Sequence, residues 1–166
     1  LDVDFAGGTA SDQSEAGHTA VRKGAPVIAY NDILGKKTAK FDGSSAFAFH
    51  FRTDEYTKMQ KGFTMECMMK LDSEGNPFSD QESAGAGFEL NSDGKTLEFW
   101  SRHGGNYKKP TAQIDTAKWV HAAATYDGSV LKLYVNGKLK DVISAPDQWV
   151  IPEDGAKYFF IGSDTN

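Results

Sequence analysis

The chain has 166 residues, a formal charge of −5 and one cysteine, with 11 Phe, 6 Tyr and 3 Trp. A length of this order fits one domain with a self-sufficient core, and so many aromatics argue against disorder. Mild acidity without a basic tract makes a poor binder of nucleic acid or anionic membrane, and no apolar run approaches the roughly 18–20 residues that cross a bilayer. Cys67 alone leaves no disulfide framework and no cysteine-based zinc site. No signal peptide precedes Leu1, so the chain reads either as cytoplasmic or as a mature or excised piece of an exported protein.

In chain order, the first clear pattern is Phe47, Phe49 and Phe51 alternating with Ala48 and His50, the period of a half-buried strand. Residues 53–62 carry a Thr cap, acidic residues in the first turn and a glycine stop, which predicts one to two turns of helix near 54–61. From Phe63 to Leu71 every odd position is apolar; this predicts a strand in which Cys67 is a small buried hydrophobe rather than a nucleophile. The Ser-, Gly-, Glu- and Asn-rich stretch 72–87 reads as a long surface loop. Single-acid strands follow at Phe88-Glu89-Leu90 and Leu97-Glu98-Phe99.

Residues 119–143 give the most secure expectation: three antiparallel strands in a meander, turning at Asp127-Gly128-Ser129 and at Asn136-Gly137. Asp-Gly and Asn-Gly supply the positive φ that hairpin turns require. Within it Val120, Ala122, Ala124 and Tyr126 share one face, and Trp119 is assigned to the core. Helix is otherwise scarce and no βαβ unit is visible. The predicted fold is therefore all-β, an antiparallel two-sheet sandwich with at most one short helix.

The run Trp119-Val120-His121-Ala122-Ala123-Ala124-Thr125-Tyr126-Asp127-Gly128, followed by Leu131-Lys132-Leu133-Tyr134-Val135-Asn136-Gly137, resembles the laminin-G-like (LamG) family of the concanavalin A-like lectin/glucanase superfamily. Lys40-Phe41-Asp42-Gly43, Phe63-Thr64-Met65-Glu66 and Phe160-Ile161-Gly162 fit the same order, so the resemblance spans residues 1–166. It implies a single jelly-roll sandwich over that whole length, appended to a secreted or cell-surface protein such as a bacterial glycoside hydrolase or calcineurin-like phosphoesterase. It also implies a further strand beyond Ser163-Asp164-Thr165-Asn166; either the module is cut short or its closing strand lies elsewhere, and the natural protein is expected to be longer. A structural calcium is common in such relatives, and by that resemblance Asp4, Asp42 and Asp164 would contribute to it; no cofactor is otherwise required.

Chemistry is hard to find. Glucanases of the superfamily place acids at i, i+2 and near i+4 on one strand, where alternation presents the carboxylates together. No strand here does, so a divergent glycosidase is the weakest reading, and no residue is assigned a catalytic role. Nucleophile elbows, phosphate loops and zinc helices are absent from the sequence. His121 reads as a packed or hydrogen-bonded structural histidine.

The candidate binding surface is Trp100, Arg102, His103, Asn106 and Tyr107. With Leu97 and Phe99 facing the core, Trp100 and Arg102 face the other way; an exposed indole beside planar donors suits a sugar ring. The alternative is that Trp100 caps the sheet and Gly104-Gly105 merely turns a hairpin. Trp149 is a second exposed aromatic by the same reasoning. The expected function is a non-catalytic, extracellular module binding a glycan or surface ligand, a neutral one rather than a polyanion. The alternative is a structural accessory domain packed on other domains of the same polypeptide.

Overall fold

The computed structural model describes residues 1–80, 84–153 and 157–163. In chain order its elements are β1 (Val3–Asp4), β2 (Ser11–Asp12), β3 (Ala20–Lys23), β4 (Val27–Asn31), β5 (Lys36–Lys40), β6 (Ala46–His50), α1 (Thr53–Met59), β7 (Phe63–Met69) and β8 (Gly75–Asp80). They continue with β9 (Ala86–Leu90), β10 (Thr96–His103), β11 (Asn106–Lys108), β12 (Thr111–Gln113), β13 (Val120–Tyr126), β14 (Val130–Val135), β15 (Lys138–Ser144) and β16 (Tyr158–Ile161). All pairings are antiparallel.

Two sheets form the sandwich. The larger runs β11-β10-β9-β8-β16-β6-β3, with β12 also on β10; the smaller runs β15-β14-β13-β7. Two-stranded ribbons β1–β2 and β4–β5 complete it. One apolar layer fills the space between the sheets: Phe49, Phe88, Leu97 and Phe99 from one, Met65, Ala122, Ala124, Leu131 and Leu133 from the other. The expected meander is β13–β14–β15. Asn136 (φ 49°) and Gly137 (φ 72°) both take the left-handed backbone its second turn demands. At the first turn Asp127 Oδ1 accepts the Ser129 and Val130 N–H groups at 3.0 and 2.9 Å.

The structure differs from the sequence reading at several places. The stretch 72–87 is not a long loop: β8 lies inside it, between β9 and β16. Its polarity hid it, because Ser79 and Asp80 are fully buried within the sheet. Opposite Ser79, a side chain at Gly87 would collide with Ser79 itself, so the strands touch only because both residues are small. The Thr cap of α1 is also misplaced. Thr53 is already helical, and Arg52 is the cap, its N–H donating to Glu55 Oε2 at 2.7 Å. Asp154-Gly155, a further Asp-Gly dipeptide whose sequence predicts a turn, lies outside the described residues.

Trp149 is buried, not exposed. Its Nε1 donates to the Gly85 carbonyl at 3.1 Å, and its ring meets Tyr56 and Phe63. Cys67 is half-buried rather than buried: its thiol lies 3.9 Å from Met69 Sδ, and desolvation with the adjacent Glu66 carboxylate pushes its pKa up to about 12. His121 is also structural; its Nε2 lies 3.2 Å from Glu66 Oε2 on the outward face of the small sheet. The N-terminal segment is latched to α1 by His18, whose Nδ1 meets Asp12 Oδ2 at 2.7 Å and whose Nε2 meets Glu55 Oε1 at 3.0 Å. The same ring stacks on Phe51 at 4.3 Å.

At the end of β8, neither Asp80 carboxyl oxygen nor the neighbouring Tyr56 hydroxyl closes a well-formed hydrogen bond among the described residues. Burial pushes the Asp80 carboxyl well above its ordinary range, offset only in part by the Tyr56 hydroxyl. A carboxyl raised in the fold stabilises below its unfolded pKa of about 4, and that contribution is lost as pH rises toward the folded value. Asp80→Asn removes the titration, so its stability relative to the parent is expected to improve steadily between pH 4 and pH 8. Thermal unfolding across that range checks this; a difference independent of pH would refute it.

Candidate binding surface on the outer face of the large sheet

The strand β10 alternates strictly. Leu97, Phe99, Ser101 and His103 are buried, while Thr96, Glu98, Trp100 and Arg102 face outward and are half-exposed. The two-residue turn Gly104-Gly105 sets the pairing with β11: His103 opposite Asn106, Arg102 opposite Tyr107, Ser101 opposite Lys108. Directly paired residues share a face. The register therefore divides the five predicted residues into two sets.

Trp100, Arg102 and Tyr107 come together on the outer face. Tyr107 packs against Trp100 edge to face, with centroids 5.3 Å apart, and the Arg102 guanidinium lies 5.8 Å from the centre of the Tyr107 ring. Tyr107 is the exposed member, at 38%. His103 does not join them. It points into the sandwich, fully buried, with Nε2 2.8 Å from Ser101 Oγ and Nδ1 3.1 Å from the Asp147 carbonyl. Its ring meets Tyr126 edge to face at 4.6 Å. Asn106, opposite His103, is exposed but belongs to that other face.

Lys109, which sequence reasoning missed, is the decisive neighbour. Its Nζ sits 3.1 Å above the Trp100 ring centre and 3.9 Å from Glu98 Oε2. A ring face that a sugar would stack on is thus already covered by an ammonium, a cation–π contact. The Trp100 Nε1 is buried with no acceptor among the described residues. Tyr107, not Trp100, is consequently the open aromatic surface. Counting back from the Gly104-Gly105 turn would have found Lys109 opposite Trp100.

A second arrangement invisible in the linear pattern is the pairing of Glu98 with Glu89 across β10 and β9. Direct partners have Cβ atoms about 4.5–5.5 Å apart. Glu98 is not a free acid, however: Oε1 accepts Asn91 Nδ2 at 2.7 Å, and Lys109 balances its charge.

Two of the three predicted calcium ligands, Asp4 and Asp42, lie among the described residues. Asp4 is exposed and accepts the Ala6 N–H at 3.2 Å. Asp42 Oδ1 is engaged by Ser44 N–H and Ser44 Oγ, both at 3.0 Å, which holds its carboxyl below the usual range together with Ser45. Asp164 lies outside the described residues. Among the described residues no three His, Cys, Asp or Glu side chains form a group able to hold a metal ion. By themselves Asp4 and Asp42 supply fewer than calcium's six to eight oxygens.

An antiparallel two-sheet sandwich with an aromatic and basic patch on the outer face of its large sheet is the class this geometry defines. The family model of the concanavalin A-like lectin/glucanases superfamily (Laminin_G_3) matches residues 41–166, and the chain belongs to that family. No curated protein matches it. Among solved structures, a botulinum neurotoxin DC binding domain in complex with SialylT is 15% identical with a TM-score of 0.73; the match covers 96% of this chain and 42% of that one. The botulinum neurotoxin serotype C1 binding domain is 14% identical at TM-score 0.71, covering 99% and 48%. The binding domain of Paraclostridial Mosquitocidal Protein 1 is 14% identical at TM-score 0.69, also covering 99% and 48%. The chain thus spans less than half the length of these structures, and the likeness is one of fold. No helix among the described residues is long and apolar enough to cross a membrane.

Burial lowers the His103 pKa below 6.5 despite its bond to the Asp147 carbonyl. The unfolded chain then takes up the proton first, so stability is lost as pH falls below about 6.5. His103→Gln is expected to cost about 1–2 kcal/mol at pH 7, and this deficit is expected to shrink toward pH 5. Chemical denaturation at both pH values tests it.

Proposed function

We propose that this chain is a non-catalytic module that binds a carbohydrate or similar surface ligand on behalf of a larger secreted or cell-surface protein. The observation that carries the reading is the exposed Tyr107 ring, backed by Trp100 and flanked by Arg102 and Lys109. An aromatic plate beside planar and ammonium donors offers the two contacts a sugar needs: a surface for C–H groups and donors for hydroxyls. The rigid two-strand register holds these groups in place before a ligand arrives, which limits the ordering cost of binding. Structural neighbours described as toxin binding domains, one in complex with SialylT, support this reading. Their greater length supports the larger parent protein.

A second reading, a domain that packs on its own polypeptide, is favoured by one feature. On the outward face of β14–β15, Tyr134 pairs with exposed Leu139 and Lys132 with exposed Val142. These side chains would suit a neighbouring domain better than solvent.

A glycan array with the intact chain separates the readings. Binding is expected to fall about ten-fold in Tyr107→Ala and by less in Trp100→Ala, whose ring face Lys109 already occupies. A chelator is expected to leave it unchanged, and Glu98→Gln or Glu89→Gln to reveal no hydrolysis. Absence of any glycan signal, with Leu139→Ser/Val142→Ser improving solubility, would favour the packing role. Turnover abolished by either Glu substitution would establish a glycosidase.

A further inference from the structure

A recess of about 280 Å³ opens where the β12–β13 connection meets the β14–β15 turn. Its floor is apolar: Val120 and Val135 belong to the buried layer, and Ile114 packs against it. Trp119 forms a wall. The sequence reading assigned that residue to the core, but it is only half-buried. The recess is separate from the Tyr107 surface. Gln113, on its rim, pairs with Thr96 at the far end of β10 from Arg102, and the four steps from Thr96 to Trp100 alone span about 13 Å.

The rim is electrically lopsided. Lys118, Lys138 and Lys140 surround the opening with Asp115 as the one acid. Asp115 Oδ2 is bound to Lys118 Nζ at 2.8 Å, so this pair cancels internally. Lys138 and Lys140 have no ion-pair partner among the described residues. Two uncompensated ammonium groups therefore overlook a hollow with an indole side.

The rim amides are pre-oriented. Asn136 is held by a reciprocal pair of bonds to His121, its N–H donating to the His121 carbonyl at 2.8 Å and its Oδ1 accepting the His121 N–H at 2.9 Å. That leaves Nδ2 as a fixed donor. Gln113 Nε2 is spent on Thr96 Oγ1 at 2.7 Å, leaving Oε1 as an acceptor.

We infer that this recess binds one carboxylate-bearing sugar residue of an acidic glycan. The C–H face of the ring packs on Trp119, Asn136 and Gln113 take hydroxyls, and Lys138 and Lys140 take the carboxylate. The volume lies just below the ligand-pocket range of about 300–1,000 Å³, which suits a single ring rather than a cofactor. A neutral sugar would leave the two ammonium groups unanswered. This inference sharpens the proposed function by naming a ligand class, yet rests on residues the Tyr107 surface does not use.

Isothermal titration of the intact chain tests it, with a sialic-acid-terminated trisaccharide, a glucuronate-terminated one and the carboxyl-reduced form of each. Binding of either acidic probe is expected, weakening at least about ten-fold on carboxyl reduction and declining with salt. Loss of similar size is expected in K138Q/K140Q, two exposed positions where the fold is retained, and in Trp119→Ala. The two acidic probes distinguish a sialic acid from a uronic acid. Equal affinity for acid and reduced forms, an unaffected K138Q/K140Q variant, or no response to any acidic probe at millimolar concentration would overturn the inference. Binding lost in Tyr107→Ala but intact in K138Q/K140Q would sink the recess and leave the Tyr107 surface standing; the reverse would do the opposite.

Discussion

The parity of β10 is the constraint from which the functional surface follows. Its inward residues Leu97, Phe99 and His103 are locked in the layer between the sheets, where a one-residue slip would exchange every buried side chain for an outward one. Burying Leu97 and Phe99 alone is worth several kcal/mol, at about 1.5–3 kcal/mol for each fully buried side chain, far more than any outward contact. The core therefore decides what the surface shows, and Glu98, Trp100 and Arg102 are outward because their neighbours are not. The Gly104-Gly105 turn then transmits that parity to β11, which places Tyr107 opposite Arg102 and brings Lys109 to the face of Trp100.

Much of the architecture was legible because its signals are local. The alternation in β7, β10, β13 and β14 and the turn chemistry at Asp127-Gly128 and Asn136-Gly137 are properties of short windows. What stayed hidden is non-local. The strand β8 carries no alternation, because both Ser79 and Asp80 are buried inside the sheet. Trp149 looked exposed since its acceptor, the Gly85 carbonyl, and its ring partner Tyr56 are far away in the chain. The same holds for Lys118, Lys138 and Lys140: scattered in an acidic chain, they give no basic tract, yet they ring one recess.

The candidate surface was legible by half. Strand parity found Trp100 and Arg102 together, while His103, Asn106 and Tyr107 were carried along by adjacency in sequence; the hairpin register keeps Tyr107 on the Arg102 face and puts His103 and Asn106 on the other. The polar residues His103, Ser101 and Asp147 are better understood as the stitching that closes the end of the sandwich, tying β10 to the segment before Trp149.

The His18 latch has a consequence for where the folding unit begins. The family match starts at residue 41, yet β3 pairs with β6 along its length, and His18 joins Asp12 to the helix residue Glu55. A fragment cut to the family boundary would expose one flank of β6 and unstack Phe51 from the His18 ring. The strand β3 thus replaces the flank of β6 with a shorter edge of four residues carrying Arg22 and Lys23, a form of edge that resists self-association.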